Sequence, residues 1–168
     1  MPIRQIGGTN KEMKKKRMLI KIMAFVVACS LCFSSVMTVA AETVDGAELT
    51  MEESAEGEMT IMPRGAYLAG GDCSITNLGN GRIYADGSTS ANYTVNYVGV
   101  TVYVERLVNG SWTSYYSWGT SATTTSYVST SKTLKVETGY YYRVRATHTA
   151  GMYSPYDSGS SSTDGIWI

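Results

Sequence analysis

The stretch VGVTVYVERLV, residues 98–108, constrains the fold more than any other part of the chain. Val98, Val100, Val102 and Val104 fall on one side of an extended backbone, and Thr101, Tyr103 and Glu105 on the other. A helix would scatter four alternate valines around its axis, whereas a half-buried strand gathers them on one face. The run stops at Asn109-Gly110, a pair that tolerates the positive φ angles of a type I′ turn. SWTSYYSW then reads as the returning strand. CSITN and RIYADGS flank Leu78-Gly79-Asn80-Gly81 as a second hairpin, and SYVSTSKTLKV, YYYRVRATH and DGIWI complete the set. No useful helical period occurs after residue 64. About seven short strands at this spacing predict an all-β domain over residues 64–168, an antiparallel two-sheet β-sandwich.

Charge divides the chain into three unlike segments. Residues 1–41 hold seven of the fourteen Lys and Arg, and residues 42–63 hold seven acidic residues and no basic one. Residues 64–168 hold all thirteen Tyr and all three Trp, with seven basic and six acidic side chains. The net charge of zero is thus a sum over different materials. Without clustered Lys and Arg, the domain has no electrostatic reason to bind nucleic acid.

Residues 1–41 read as a signal peptide. Lys14, Lys15, Lys16 and Arg17 form a basic leader, Met18 to Val39 is largely apolar, and Val39 and Ala41 supply small side chains before a cut after Ala41. An uncleaved membrane anchor is the first alternative, because the apolar stretch is just long enough to span a bilayer. Lipidation at Cys29, in VVAC, is the second. With simple cleavage, Cys29 and Cys32 leave and Cys73 is the one remaining thiol. The expected location is secreted or extracellular, with retention at the cell surface open. Residues 42–63 carry charge of one sign and few large apolar groups, which predicts a disordered linker or pro-segment, with Arg64 as a processing point.

In ETGYYYRVRATHTAGMYSP, Tyr140, Tyr142, Val144 and Ala146 share one face, and Tyr141, Arg143, Arg145 and Thr147 the other. The first suits a core and the second solvent. With Leu134 six residues before Tyr140, this pattern resembles a fibronectin type III or immunoglobulin-like sandwich. The resemblance implies that the Tyr140 hydroxyl bonds back to the chain near Leu134 to Glu137. The tryptophan that such modules usually carry on their second strand is missing from RIYADG. GNGRIYADGSTSANYTV, VYVERLVNGSW, GYYYRVRATH and TDGIWI also resemble an uncharacterised family of small secreted proteins from Gram-positive bacteria. That resemblance implies export and a single all-β domain, and transfers no activity to this chain.

Catalytic chemistry finds few candidates. Nucleophilic catalysis needs a nucleophile and a base, and Cys73 with His148 is the one thiol–imidazole pair after cleavage. Cys73 shares strand parity with Ile75 and is expected to point inward, while His148 ends its strand with a partly buried or loop-facing ring. One Cys and one His do not make a zinc site, and the scattered Asp residues fit turns, so no metal, cofactor or enzymatic activity is expected. What remains is a surface. Tyr141, Arg143 and Arg145, with Tyr103 and Glu105 on a neighbouring strand and Tyr115 nearby, form the candidate binding face, because Tyr and Arg supply flat contact and hydrogen bonds. Cross-strand packing of Tyr–Arg and Arg–Glu pairs is the plainer reading of the same residues. The expected partner is a cell-wall or host glycan or an extracellular protein. Self-assembly through an exposed edge such as GIWI, or a toxin-like peptide stored behind the acidic segment, are the alternatives.

Overall fold

All seven runs with large β-branched or aromatic side chains form strands, and four further strands join them. The computed structural model describes residues 42–59 and 66–168, which fall in one compact unit, Ala41–Ile168. The signal-peptide reading, the Cys29 alternative, residues 60–63 and Arg64 lie outside the described residues. The strands are β1 (Thr43–Val44), β2 (Ala47–Thr50), β3 (Ser54–Glu58), β4 (Leu68–Gly79), β5 (Arg82–Val95) and β6 (Tyr97–Val108). They continue as β7 (Ser111–Ala122), β8 (Thr125–Lys135), β9 (Tyr141–Gly151), β10 (Asp157–Ser162) and β11 (Gly165–Trp167).

Two sheets stack as a β-sandwich. The larger runs β1-β2-β11-β9-β6-β7, with β10 also paired to β9, and the smaller runs β3-β4-β5-β8. From β4 onward this order puts β4, β5 and β8 in one sheet and β6, β7, β9, β10 and β11 in the other. Asn80 and Gly81, with φ of 55° and 66°, turn β4 into β5, and Asn109 and Gly110, with 51° and 77°, turn β6 into β7. Both are the positive-φ pairs that a tight hairpin needs.

The core lies where the predicted faces meet. Val98, Val100, Val102 and Val104 of β6 and Tyr142, Val144 and Ala146 of β9 are all 2% exposed or less. They face Cys73 and Ile75 of β4 and Ile83 and Ala85 of β5. The absent tryptophan has a packing reason. A Cβ on Gly87 of β5 would lie 2.8 Å from the Val102 Cγ2 and 3.5 Å from the Ala146 Cβ, so the sheets close too tightly there for a large ring.

Three expectations are corrected. The hydroxyl that bonds back upstream belongs to Tyr142, which donates to the Glu137 carbonyl at 2.9 Å; Val136, six residues earlier, is buried in place of Leu134. Tyr140 stands just before β9, where its ring lies under the Arg106 guanidinium. Second, GIWI is no free edge, because β11 sits between β2 and β9. β10, DSGSSS, escaped the sequence reading for want of large side chains.

The third correction is the largest. Residues 43–58 of the expected disordered segment hold three strands. β2 runs parallel to β11, with Leu49 opposite Gly165, and β3 pairs antiparallel with β4 from Ser54–Thr76 to Glu58–Asp72. Backbone pairing needs no apolar side chain, and alternation sends the exposed Glu48, Glu56 and Glu58 to water while Ala47 and Gly57 turn inward. Asp45-Gly46, with φ of 53° and 78°, is the hairpin turn between β1 and β2. Like charge therefore costs little here, since each carboxylate keeps its hydration.

Gly57 offers the test. A Cβ there would run into the Ser162 carbonyl of β10. Gly57→Ala is expected to lower stability by roughly 1–3 kcal/mol, read from urea midpoints. An unchanged midpoint would return residues 42–58 to the status of a tether.

Candidate functional site

β6 and β9 lie side by side in the large sheet, with Glu105 opposite Arg143 and Tyr103 opposite Arg145. All four point away from the core, because they alternate with the buried valines, Tyr142 and Val144. Glu105 joins both arginines. One carboxylate oxygen accepts from the Arg143 Nε at 2.8 Å, and the other from the Arg145 Nε at 3.2 Å. Arg143 continues to Asp45, whose carboxylate accepts from Nη2 at 3.1 Å. Asp45, Arg143, Glu105 and Arg145 thus form a charge-balanced chain that links β6 and β9 to the β1–β2 turn.

This face is not open throughout. Arg143 is 5% exposed and Glu105 7%, although both were expected to face solvent. Trp112 of β7 covers Arg143, with the guanidinium carbon 4.6 Å from the ring centroid. The Trp112 indole N–H donates to the Val44 carbonyl at 2.9 Å, so the β1–β2 hairpin closes over the same place. Arg145 differs: its side chain is 46% exposed and lies over the Tyr103 ring at 5.2 Å. A groove between the β1–β2 and β6–β7 turns is lined by Asp45, Ser111, Trp112, Arg143 and Arg145. Tyr141 stands at the start of β9, edge-on to Trp167 at 4.9 Å. Tyr115 leaves this face altogether. A bulge between Val104 and Glu105 turns it inward, where its ring meets Tyr142 edge-on at 5.4 Å.

The thiol and imidazole lie in the interior. Cys73 is 1% exposed, and burial pushes its thiol up to about 11. His148, expected at a strand end with a partly buried ring, is fully buried. Its Nδ1 meets the Thr89 hydroxyl at 2.9 Å and its Nε2 the Ser161 hydroxyl at 2.8 Å. The Thr89 hydroxyl donates to the Gly99 carbonyl at 3.1 Å, so it accepts from Nδ1–H, and Nε2 accepts from Ser161. Burial lowers the pKa of His148 against a smaller opposing pull from Asp72. The ring fits because Gly71, on the facing strand β4, has no side chain; a Cβ there would overlap the imidazole. The thiol and the imidazole are each hydrogen-bonded within the sandwich. Among the described residues, no cluster of three or more His, Cys, Asp or Glu is placed to hold a metal ion.

A family model matches residues 38–165, that of the Family of unknown function (DUF6147). The chain belongs to this family. Comparisons with curated proteins and with solved structures give no match. The expected membership of an uncharacterised domain family is met. The DUF6147 match begins ahead of β1 and takes in the acidic segment, in keeping with the strands found there.

Of the five candidate residues in the DUF6147 domain, Tyr103, Glu105, Arg143 and Arg145 come together and Tyr141 stands apart. Sequence reasoning missed Asp45 and Trp112 as their partners. The signal for Asp45 was present, since Asp-Gly is as good a hairpin pair as the Asn109-Gly110 used for β6–β7. Its pairing across the sheet had no local signal.

The ion chain predicts unequal costs. Arg143→Ala would leave Glu105 buried with one partner lost, and should destabilise by about 3–5 kcal/mol. Arg145→Ala, at a half-exposed side chain, should cost about 0–1 kcal/mol. Urea unfolding of both variants checks the contrast; equal costs would overturn it. His148 predicts a pH dependence. Its folded pKa lies below the unfolded value of 6.5, so the unfolded chain takes up the proton first. Its contribution is complete above pH 6.5 and declines as pH falls from there toward the folded pKa. The urea midpoint should drop across that window, and His148→Gln should flatten the drop.

Proposed function

We propose that this DUF6147 domain is an exported, non-enzymatic β-sandwich module that binds a cell-surface or extracellular glycan or protein. The observation that carries the reading is Arg145. Its guanidinium is fixed by Glu105 and backed by Tyr103, yet nearly half the side chain stays open beside the groove at Trp112 and Ser111. A cation already held in place loses little freedom when a ligand arrives, which favours recognition. Arg and aromatic side chains are also the residues that most often carry binding energy. Sugar rings stack on aromatic faces, and an acidic or hydroxyl-rich ligand supplies acceptors for the open side of the guanidinium.

Export rests on the basic leader Lys14 to Arg17, the apolar run and the small residues Val39 and Ala41. The non-enzymatic reading rests on the commitment of His148 and Cys73 to the interior. With seven basic and thirteen acidic side chains, residues 42–168 give nucleic acid no attraction, so the ligand is sought outside the cell.

Co-sedimentation with purified Gram-positive cell walls, and separately with mucin, tests the module. Saturable sedimentation with one of them is expected. Arg145→Ser or Tyr103→Ser should weaken it by roughly tenfold while the urea midpoint shifts little. Undiminished binding by both variants would remove this face from the reading, and no sedimentation of the native protein with either material would remove the ligand class.

A further inference from the structure

The sheet edges of this domain are not alike. β1 is two residues long, β3 carries Glu56 and Glu58, β8 carries Lys132 and Lys135, and β10 is six residues long and begins with Asp157. Short length and charge are the ordinary ways in which an edge is kept from pairing with another chain. β7 has neither. It ends the large sheet, runs for twelve residues, SWTSYYSWGTSA, and contains no Lys, Arg, Asp, Glu or Pro. None of its twelve residues is buried, although Tyr115, Tyr116 and Trp118 are among them.

We propose that β7 is a self-association edge, on which β7 of a second copy of this chain adds antiparallel about a two-fold axis at Gly119, joining two large sheets into one. The bulge at Tyr115 limits the regular run to residues 116–122, whose midpoint is Gly119. Centred there, Trp118 stands opposite Thr120 of the second copy, Tyr116 opposite Ala122, and Ser117 opposite Ser121. Trp118 pairs with Val102 and Tyr116 with Val104, so both aromatics lean to the inner side and each meets a small partner. The outer side offers Ser117, Gly119 and Ser121, which add no bulk. A two-fold contact must be complementary to itself, and a strand with no charge and alternating large and small residues is. Among the described residues, Lys132 stands over the Tyr116 ring at 5.7 Å. The two Tyr116 rings would sit at opposite ends of the paired run, roughly 20 Å apart, beyond the range of unscreened repulsion.

The test uses the full chain expressed with its leader, followed by sedimentation velocity from low micromolar to several hundred micromolar. A dimer that grows with concentration is expected. Ser117→Lys with Ser121→Lys places like charges opposite each other twice, as does Ser117→Glu with Ser121→Glu; each should weaken the dimer by about tenfold. An equal mixture of the two variants should restore it, because Lys then faces Glu. Amide hydrogen exchange of the native protein provides a reading that needs no variant: amides of residues 116–122 should slow as concentration rises. A chain that stays monomeric throughout, a dimer untouched by either pair of substitutions, or exchange independent of concentration would each overturn the proposal.

Discussion

The inward faces of β5 and β6 meet where Gly87 lies under Val100 and Val102, and the rest of the sandwich is arranged around that close approach. Burial of each valine side chain contributes about 1.5–3 kcal/mol, provided that the opposite sheet comes near enough to exclude water. Small residues on β5, Ala85 and Gly87, allow this at the centre. Toward one end the gap holds an imidazole, with Gly71 making room for it. Toward the other it holds Tyr142, tied to the Glu137 carbonyl and packed by Tyr115. Both polar groups have partners within the protein, so the interior tolerates them.

On the outside of the same strands, alternation creates the opposite environment. Residues that cannot enter the core stack as Tyr103, Glu105, Arg143 and Arg145, and their register makes them directly opposite neighbours. The hairpin at Asp45-Gly46 and the ring of Trp112 then cover one half of that cluster and leave the other half open. Arg143 becomes a structural ion, because a buried guanidinium between two carboxylates is costly to disturb. Arg145, on the same strand two residues later, keeps a free side. One sheet face thereby carries both a stabilising contact and a candidate recognition surface.

The acidic segment shows the same logic with less apolar material. Its glutamates suggested disorder because one-signed charge with little hydrophobic surface cannot build a core alone. It does not need to. β2 and β3 add to edges that other residues have already formed, and their backbone groups supply the attachment. The family match extends over this segment, so it belongs with the domain.

Period-two alternation and the Asn-Gly turns by themselves determined that this chain forms antiparallel strands with Val98 to Val104 inward, since both signals act between residues near in sequence. The inward set Tyr142, Val144 and Ala146 was legible for the same reason. Which tyrosine closes the corner was not: Tyr140 and Tyr142 share parity, and only the point at which β9 begins separates them. Nor could sequence reveal that Arg143 is buried, because what covers it comes from residues 44–45 and 112, far away along the chain. The bulge that turns Tyr115 inward depends likewise on pairing with β6. Local chemistry selects strand and face; burial is decided by whichever distant segment arrives to exclude the water, and that is a property of the assembled sheets alone.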